Sequence, residues 1–446
     1  MFTRRAMLAG GAATAMAAAS ARGLAQGAGA GARPSAFVRR EGSGFVLNGQ
    51  PYRFVGANMW YGAYLGAPGS AGDRDRLTRE LDRLQAAGIT NLRLLASSED
   101  GPLKHSVKPS FQSKDGPPNA ALLAGLDHLL AEMGKRDMKA VLYLTNFWEW
   151  SGGMMTYLAW TTGHYMDMGD PAHPWPAFPN ATAEFYAAPP AVARMQAWTR
   201  LIVGRTNGVT GTPYRDDPTI MAWQLCNEPR PGGDEATGRR LLPAYYAWAQ
   251  STARLIRSID PNHLVSTGSE GLKGALENAE IYKTLHAMPE IDYLTAHIWP
   301  QNWSWIDAAD LPGTSAAGLT MAKAYVEAHV GYARELGKPL VIEEFGWPRD
   351  DVAYDPAAAT RSRDAYYRMI FAAVEASAAA DGPLAGSNFW AWNGAGRAAH
   401  ADHEWRVGDP LLGDPPHEPQ GWYGVFDGDR STLALIEAHA KALTGR

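Results

Sequence analysis

Short apolar runs recur along this chain, and polar stretches with helical spacing separate them. The runs are Phe54–Met59, Thr90–Leu95, Ala140–Asn146, Ile220–Asn227, His263–Gly268, Tyr293–Trp299, Pro339–Glu344 and Ser387–Trp392. Each is short and apolar on both faces, the pattern of a strand covered on both sides. Between them, Asp75–Ala87, Ala120–Arg136, Pro243–Ile259, Ala322–Leu336 and Ser362–Ala378 read as amphipathic helices. Strands alternating with helices pair in parallel, and eight such units predict an α/β fold, a (β/α)8 TIM barrel, over an open sheet. Ahead of the first run, Leu47-Asn48-Gly49-Gln50 lies between Phe45-Val46 and Tyr52-Arg53-Phe54, a hairpin signal.

Two connections are too long for bare turns. One runs from Trp148 to about Pro190 and holds Trp148, Trp150, Met154, Met155, Tyr157, Trp160, Tyr165 and Trp175. The other, Ala395 to Trp422, is rich in Pro, Asp and His. Both leave C-terminal strand ends, so they are expected to extend the C-terminal face of the barrel as walls of a cleft.

The N-terminus is different in kind. Arg4 and Arg5 precede an Ala/Gly/Met-rich run without acids to about Gln26, which predicts an export signal over 1–26, possible twin-arginine chemistry included, and a Gly/Ala linker over 27–34. The barrel then occupies 35–446, and a secreted or periplasmic location follows as an expectation. Loss of residues 1–26 removes three arginines and no acids, taking the net charge from −5 to about −8. That balance speaks against nucleic acid or, once the signal is gone, a membrane as partner; a monomer is expected. Cys226 is the only cysteine, so no intrachain disulfide forms, and its apolar strand makes it a core residue. No Gly-rich phosphate fingerprint follows the first run, and no histidines fall at strand ends with metal spacing. Neither cofactor nor metal is expected.

The chemistry lies in two strand ends. Trp223-Gln224-Leu225-Cys226-Asn227-Glu228-Pro229 and Leu340-Val341-Ile342-Glu343-Glu344-Phe345-Gly346-Trp347 each carry an apolar strand into an acid and then a breaker. Two acids on different parallel strands fit a glycosidase, one to protonate the leaving oxygen and one to attack or activate water. Glu343 neighbours Glu344, so alternation along a strand sends it to the opposite face. The 16 tryptophans suit a sugar-binding protein, although Trp198 and Trp248 fall in helices and read as packing.

Asn227-Glu228-Pro229 and Glu344-Phe345-Gly346 resemble the acid/base and nucleophile motifs of the large clan of (β/α)8 glycoside hydrolases. The wider match, over about 37–440, is to glycoside hydrolase family 5 and its endo-β-1,4-mannanase branch. It includes Gly56-Ala57-Asn58, Asn91-Leu92-Arg93, Ala222-Trp223-Gln224-Leu225, Ser266-Thr267-Gly268-Ser269-Glu270-Gly271 and Gly424-Val425-Phe426-Asp427. The resemblance implies Glu228 as acid/base, its pKa raised by an ionised Glu344, and Glu344 as nucleophile. The two carboxyl groups would stand about 5–5.5 Å apart in a retaining, double-displacement enzyme. It implies Arg93 as a permanent cation by the nucleophile, Asn227 on the sugar 2-hydroxyl, His297 near the acid/base and Trp390 as the floor of the −1 subsite. Trp299 departs from the pattern, since a Tyr whose hydroxyl touches the nucleophile is usual there; an indole donates but does not accept. Asn146 and Trp148 are expected on the glycone side. Arg230 is expected on the leaving-group side or in a surface ion pair, Trp60 as a sugar platform or core, and Glu270 as a structural hydrogen-bonding group.

The substrate implied is β-mannan or manno-oligosaccharide, cut internally. An exo-β-mannosidase or a β-1,4-glucanase of the same family remains open, because loops decide whether the cleft is blocked. A non-catalytic carbohydrate-binding barrel is the reading from another class; the retained Glu228, Glu344, Arg93 and Asn227 oppose it. A surface structural protein has no repeat to support it.

Overall fold

The structure is a computed structural model, and it describes residues 36–444. The expected export signal and linker lie outside the described residues. The chain opens with a small antiparallel sheet, β1 (Arg39–Glu41), β2 (Gly44–Leu47) and β3 (Gln50–Pro51). Its β2–β3 turn is the expected hairpin: Asn48 and Gly49 have φ of 53° and 77°, the left-handed pair that suits a two-residue hairpin loop. Phe45 packs edge-on against Tyr293 at 5.4 Å, in an apolar layer with Val38, Phe54, Val141, Met221, Leu264 and Val341.

Eight parallel strands follow: β4 (Phe54–Asn58), β5 (Asn91–Leu95), β6 (Lys139–Tyr143), β7 (Ile220–Gln224), β8 (Leu264–Ser266), β9 (Leu294–Ile298), β10 (Leu340–Phe345) and β11 (Leu384–Phe389). They pair in the order β8-β7-β6-β5-β4-β11-β10-β9, and a lone parallel bridge, Ser266 to Tyr293, joins the two ends into a (β/α)8 barrel. Each strand is followed by an outer helix: Arg74–Ala86, Ala120–Gly134, Pro189–Val203, Glu235–Ile259, Ala279–Ala287, Leu311–Leu336, Arg361–Ala379 and Arg430–Thr444. Two expected helices start late in the sequence reading. The fourth begins at Glu235, with Asp234 accepting from Thr237 N, and runs through Pro243; the sixth begins at Leu311.

Both long connections lie at the C-terminal face. The first carries helices Gly153–Thr162 and Ala177–Ala183. The second returns through β12 (Trp392–Gly394) paired with β13 (Val425–Phe426). Asp414 pins it: its carboxylate accepts from the backbone N–H of Gly421, Tyr423 and Gly424 and from Asn393 Nδ2, all at 2.8–3.0 Å. Among the described residues no helix is long and apolar enough to cross a membrane.

Candidate active site

Glu228 follows β7 in the left-handed region, φ 52°, where a residue with a Cβ is strained. Its N–H donates to Gly268 O at 2.8 Å. Gly268 is itself left-handed, and a Cβ there would sit 1.9 Å from Cys226 O, so glycine permits that close approach. Glu344 ends β10. The β10–β9 register shifts between Ile342 and Glu344, leaving Glu343 without a cross-strand partner. This bulge corrects the alternation argument. Val341 and Glu343 face the barrel interior in turn, and the extra residue then brings Glu344 inward as well. Glu343 thus meets Gln224 Nε2 at 2.6 and 2.5 Å and Tyr293 Oη at 3.2 Å, inside the barrel instead of outside it.

Arg93, on β5, is fully buried beneath these acids. It donates to Gln224 Oε1 (2.8 Å), Asn58 Oδ1 (3.2 Å), Asn227 Oδ1 (2.8 Å) and the Glu344 carboxylate, and it lies 4.6 Å from the Tyr143 ring centre. A guanidinium held in four directions fixes the acid it touches. His297, on β9, stands between the acids: Nδ1 donates to Glu228 Oε1 at 2.6 Å and lies 3.2 Å from Glu344 Oε2. One oxygen of each acid and this nitrogen all fall within 4.8 Å of one another. Among the described residues this is the one His/Cys/Asp/Glu trio so close, and Arg93 supplies the positive charge that a metal would bring.

Glu228 does not have the raised pKa expected of it. Burial pushes it up, but the hydrogen bond and charge of His297, the charge of Arg230 and the Trp148 N–H outweigh burial and hold it down to about 2. Burial lowers His297, and the surrounding Glu344, Glu228 and Glu343 carboxyls more than reverse that, placing it well above the ordinary histidine value. Both shifts favour the charged forms of the two hydrogen-bonded groups.

Trp299 reaches the other acid from the one implied by the family's Tyr: its Nε1–H donates to Glu228 Oε1 at 3.2 Å. The indole fits because residue 346 is glycine; a Cβ there would lie 2.6 Å from Trp299 Cζ3. Trp390 meets Trp299 edge-on at 5.8 Å and lines the cleft, as Asn227 also does. Arg230 forms a two-pronged pair with Glu270, 2.6 Å on each side, within the cleft wall and not on the open surface. Trp148 was expected on the glycone side. It stands with Arg230 instead, donating to Glu228 while the guanidinium lies 5.0 Å from its ring.

Arg93 and His297 lie beneath the cleft lining with the acids, and two further expected residues, Trp60 and Asn146, do not line the cleft either. Trp60 is core: its Nε1–H donates to Gly413 O at 2.8 Å, and the second long loop covers it. Asn146 is buried behind Asn227, accepting from its amide at 3.1 Å. Trp175, His417 and Glu418 line the cleft, of about 770 Å³, from the two long connections expected to wall it, and the residues missed by the sequence reading are Lys273, Asn302 and Trp303. They lie in loops, where no periodicity marks orientation. The Glu418 Oε2 and His417 Nδ1 atoms are buried without partners.

A parallel barrel with two acids at the C-terminal ends of β7 and β10, above a buried arginine, defines a barrel glycoside hydrolase. A model of glycoside hydrolase family 5 of the β-mannosidase-like kind matches residues 35–445. The chain is 35% identical to the family 5 mannosidase of Rhizomucor miehei, with TM-score 0.83 over 92% of this chain and 98% of that one. A mutant of that mannosidase in complex with mannosyl-fructose aligns at 34% identity and TM-score 0.82, with the same coverage. The mannan endo-1,4-beta-mannosidase 1 of Oryza sativa subsp. japonica is 30% identical over 370 residues, 79% of this chain and 78% of the relative. This chain belongs to glycoside hydrolase family 5, and it is a glycosidase of the mannanase and mannosidase group.

Proposed function

We propose that the protein is an exo-acting, retaining β-mannosidase that removes single mannose units from the non-reducing ends of manno-oligosaccharides. The observation that carries this reading is the second long loop, which brings Pro415, His417 and Glu418 to the cleft. Glu228 has to face the leaving oxygen, so the side bearing Arg230, Trp148, Lys273 and Trp303 is taken as the leaving-group side. The loop that Asp414 pins also roofs Trp60 through Gly413, and it is taken here as the wall that limits the glycone side to one sugar. The mannosyl-fructose in the Rhizomucor miehei mutant complex supports a short mannoside as ligand.

In the chemistry proposed, the Glu344 carboxylate attacks the anomeric carbon as the bond to the leaving oxygen breaks, and that oxygen takes the proton of Glu228. Before this step the proton passes from His297 Nδ1 to Glu228. A water then gives its proton to Glu228 and attacks, and the glycosyl ester opens. Acids within 4.8 Å suit this course; an inverting pair stands about 6.5–9.5 Å apart to admit a water. Asn227 keeps one amide hydrogen free for the 2-hydroxyl, since Asn146 takes the other. Glu344→Ala and Glu228→Ala are each expected to lower kcat on an unactivated mannoside by about a thousandfold or more. Retained turnover in both variants would sink the assignment.

The product profile on unbranched mannan and manno-oligosaccharides tests the mode of action. Mannose alone, first released as the β-anomer, is expected. Internal cuts would favour the second reading, an endo-β-1,4-mannanase, which the Oryza sativa relative supports. Export through the N-terminal signal belongs to the proposal, and fractionation of the producing cells tests it.

A further inference from the structure

Glu343 is buried and adjoins both cations of the site, yet the double displacement proposed above gives it no step. Its Oε2 lies 3.7 Å from Arg93 Nε and 4.0 Å from His297 Nε2. Gln224 links it to Arg93 a second time, accepting from Arg93 Nε while donating to both Glu343 oxygens. His297 Nε2 is buried and has no hydrogen-bond partner of its own, so Glu343 is the group it faces. The Glu343 carboxyl accepts from Gln224 Nε2 and Tyr293 Oη, and its two remaining neighbours, Arg93 and His297, are basic groups within 4.0 Å.

We infer that Glu343 is a positioning residue of the reaction, a fixed negative charge that holds Arg93 in place and keeps one proton shared between His297 and Glu228. The inference deepens the family 5 hydrolase reading and rests on it for the reaction, although not for the state of His297. Its logic lies in what changes during turnover. When Glu344 becomes an ester it loses its charge, and Arg93 loses its closest counter-ion. Glu343 then remains as the anion within 4 Å of that guanidinium. When Glu228 gives up its proton, the imidazole is the donor that supplied it, and the anion at Nε2 keeps that ring able to take a proton back.

The charge around His297 comes from several elements. Glu228 faces it from the end of β7, and Glu344 and Glu343 from β10; the cations Arg230 and Arg93 act on those acids, Arg230 on Glu228 and Arg93, from β5, on all three. Glu270, paired with Arg230, approaches from the end of β8, where its carbonyl also accepts the His297 N–H at 3.1 Å. Of these, Glu343 alone sits at Nε2 and takes no part in bond making.

Glu343→Gln keeps the shape and removes the charge. The pH profile of kcat/KM on an aryl β-mannoside is expected to lose its alkaline limb about one pH unit earlier than in the wild type. Imidazole ¹⁵N spectra of the labelled protein should show His297 releasing its proton at correspondingly lower pH. The spectra need no substrate, so they separate failure of this inference from failure of the mannosidase reading. A folded Glu343→Gln protein with unchanged His297 titration and unchanged limbs overturns the inference, whatever its melting temperature. Should that variant not fold, Glu343→Asp keeps the charge one methylene further off. A smaller downward shift of the His297 titration is then expected, and no shift overturns the inference.

Discussion

At the scale of single residues, Trp299 shows how a family pattern is kept in altered form. Its N–H joins those of His297 and Trp148 on the Glu228 carboxylate, so three donors hold the resting acid ionised. Trp299→Phe keeps the ring against Trp390 and removes one donor to a charged group, worth about 1.5–3 kcal/mol. Steady-state kinetics should show the pH profile of kcat/KM on an aryl mannoside lowered about tenfold or more throughout. An unchanged profile would mean that the indole serves packing alone. The acids were legible in the sequence because each closes a strand beside a breaker, and Arg93, Asn227, His297 and Trp390 because the residues around them resemble the family's motifs. Asn146 and Glu343 were misplaced because a second layer of amides and a bulge leave no mark on hydrophobic alternation, and for Trp60 a covering loop decided for core between the two readings left open.

At the scale of elements, the eight strands were legible to within a few residues, since burial on both faces leaves runs without polar interruption. Helix starts were less so. Glu235–Arg240 is a polar first stretch, and Pro243 reads as the opening of a helix although it lies inside one. The helices inside the first long loop were hidden by aromatics that pack in every direction. Glu99 anchors that loop, accepting from Gly153 N at 2.7 Å, from Gln112 Nε2 at 3.0 Å and from Ser97 Oγ. Burial raises it to about 7 from an ordinary 4.5, and the Ser97, Gly153, Tyr157 and Gln112 hydrogen bonds only partly oppose this. Between those values the folded protein holds a proton that the unfolded chain has released. Rising pH therefore withdraws stability from about 4.5 to 7, and no further loss follows above. Melting curves of the wild type and Glu99→Gln should diverge by about 2–4 °C across that window and run parallel above it. Parallel curves throughout would place Glu99 outside this linkage.

At the scale of the whole molecule, the barrel has a seam. β8 is three residues long, and its pairing with β9 is the single bridge between Ser266 and Tyr293, helped by Asp292 N to Val265 O at 2.8 Å and Thr295 Oγ1 to Ser269 O at 2.7 Å. The other neighbouring barrel strands share ladders of three or more pairs. Glu228 projects from one side of this seam and Glu344 from the other, and the His297–Glu228 hydrogen bond spans it. Opening of the barrel should begin here, so the amides of Asp292 and His297 are expected to exchange with heavy water sooner than those within β5 or β6. A sugar bridging the two acids would clasp the seam shut and slow that exchange, although neither amide touches the sugar. Hydrogen-exchange mass spectrometry with and without a bound mannoside reads the effect, and equal exchange in both states would mean that the barrel closes without help from its substrate.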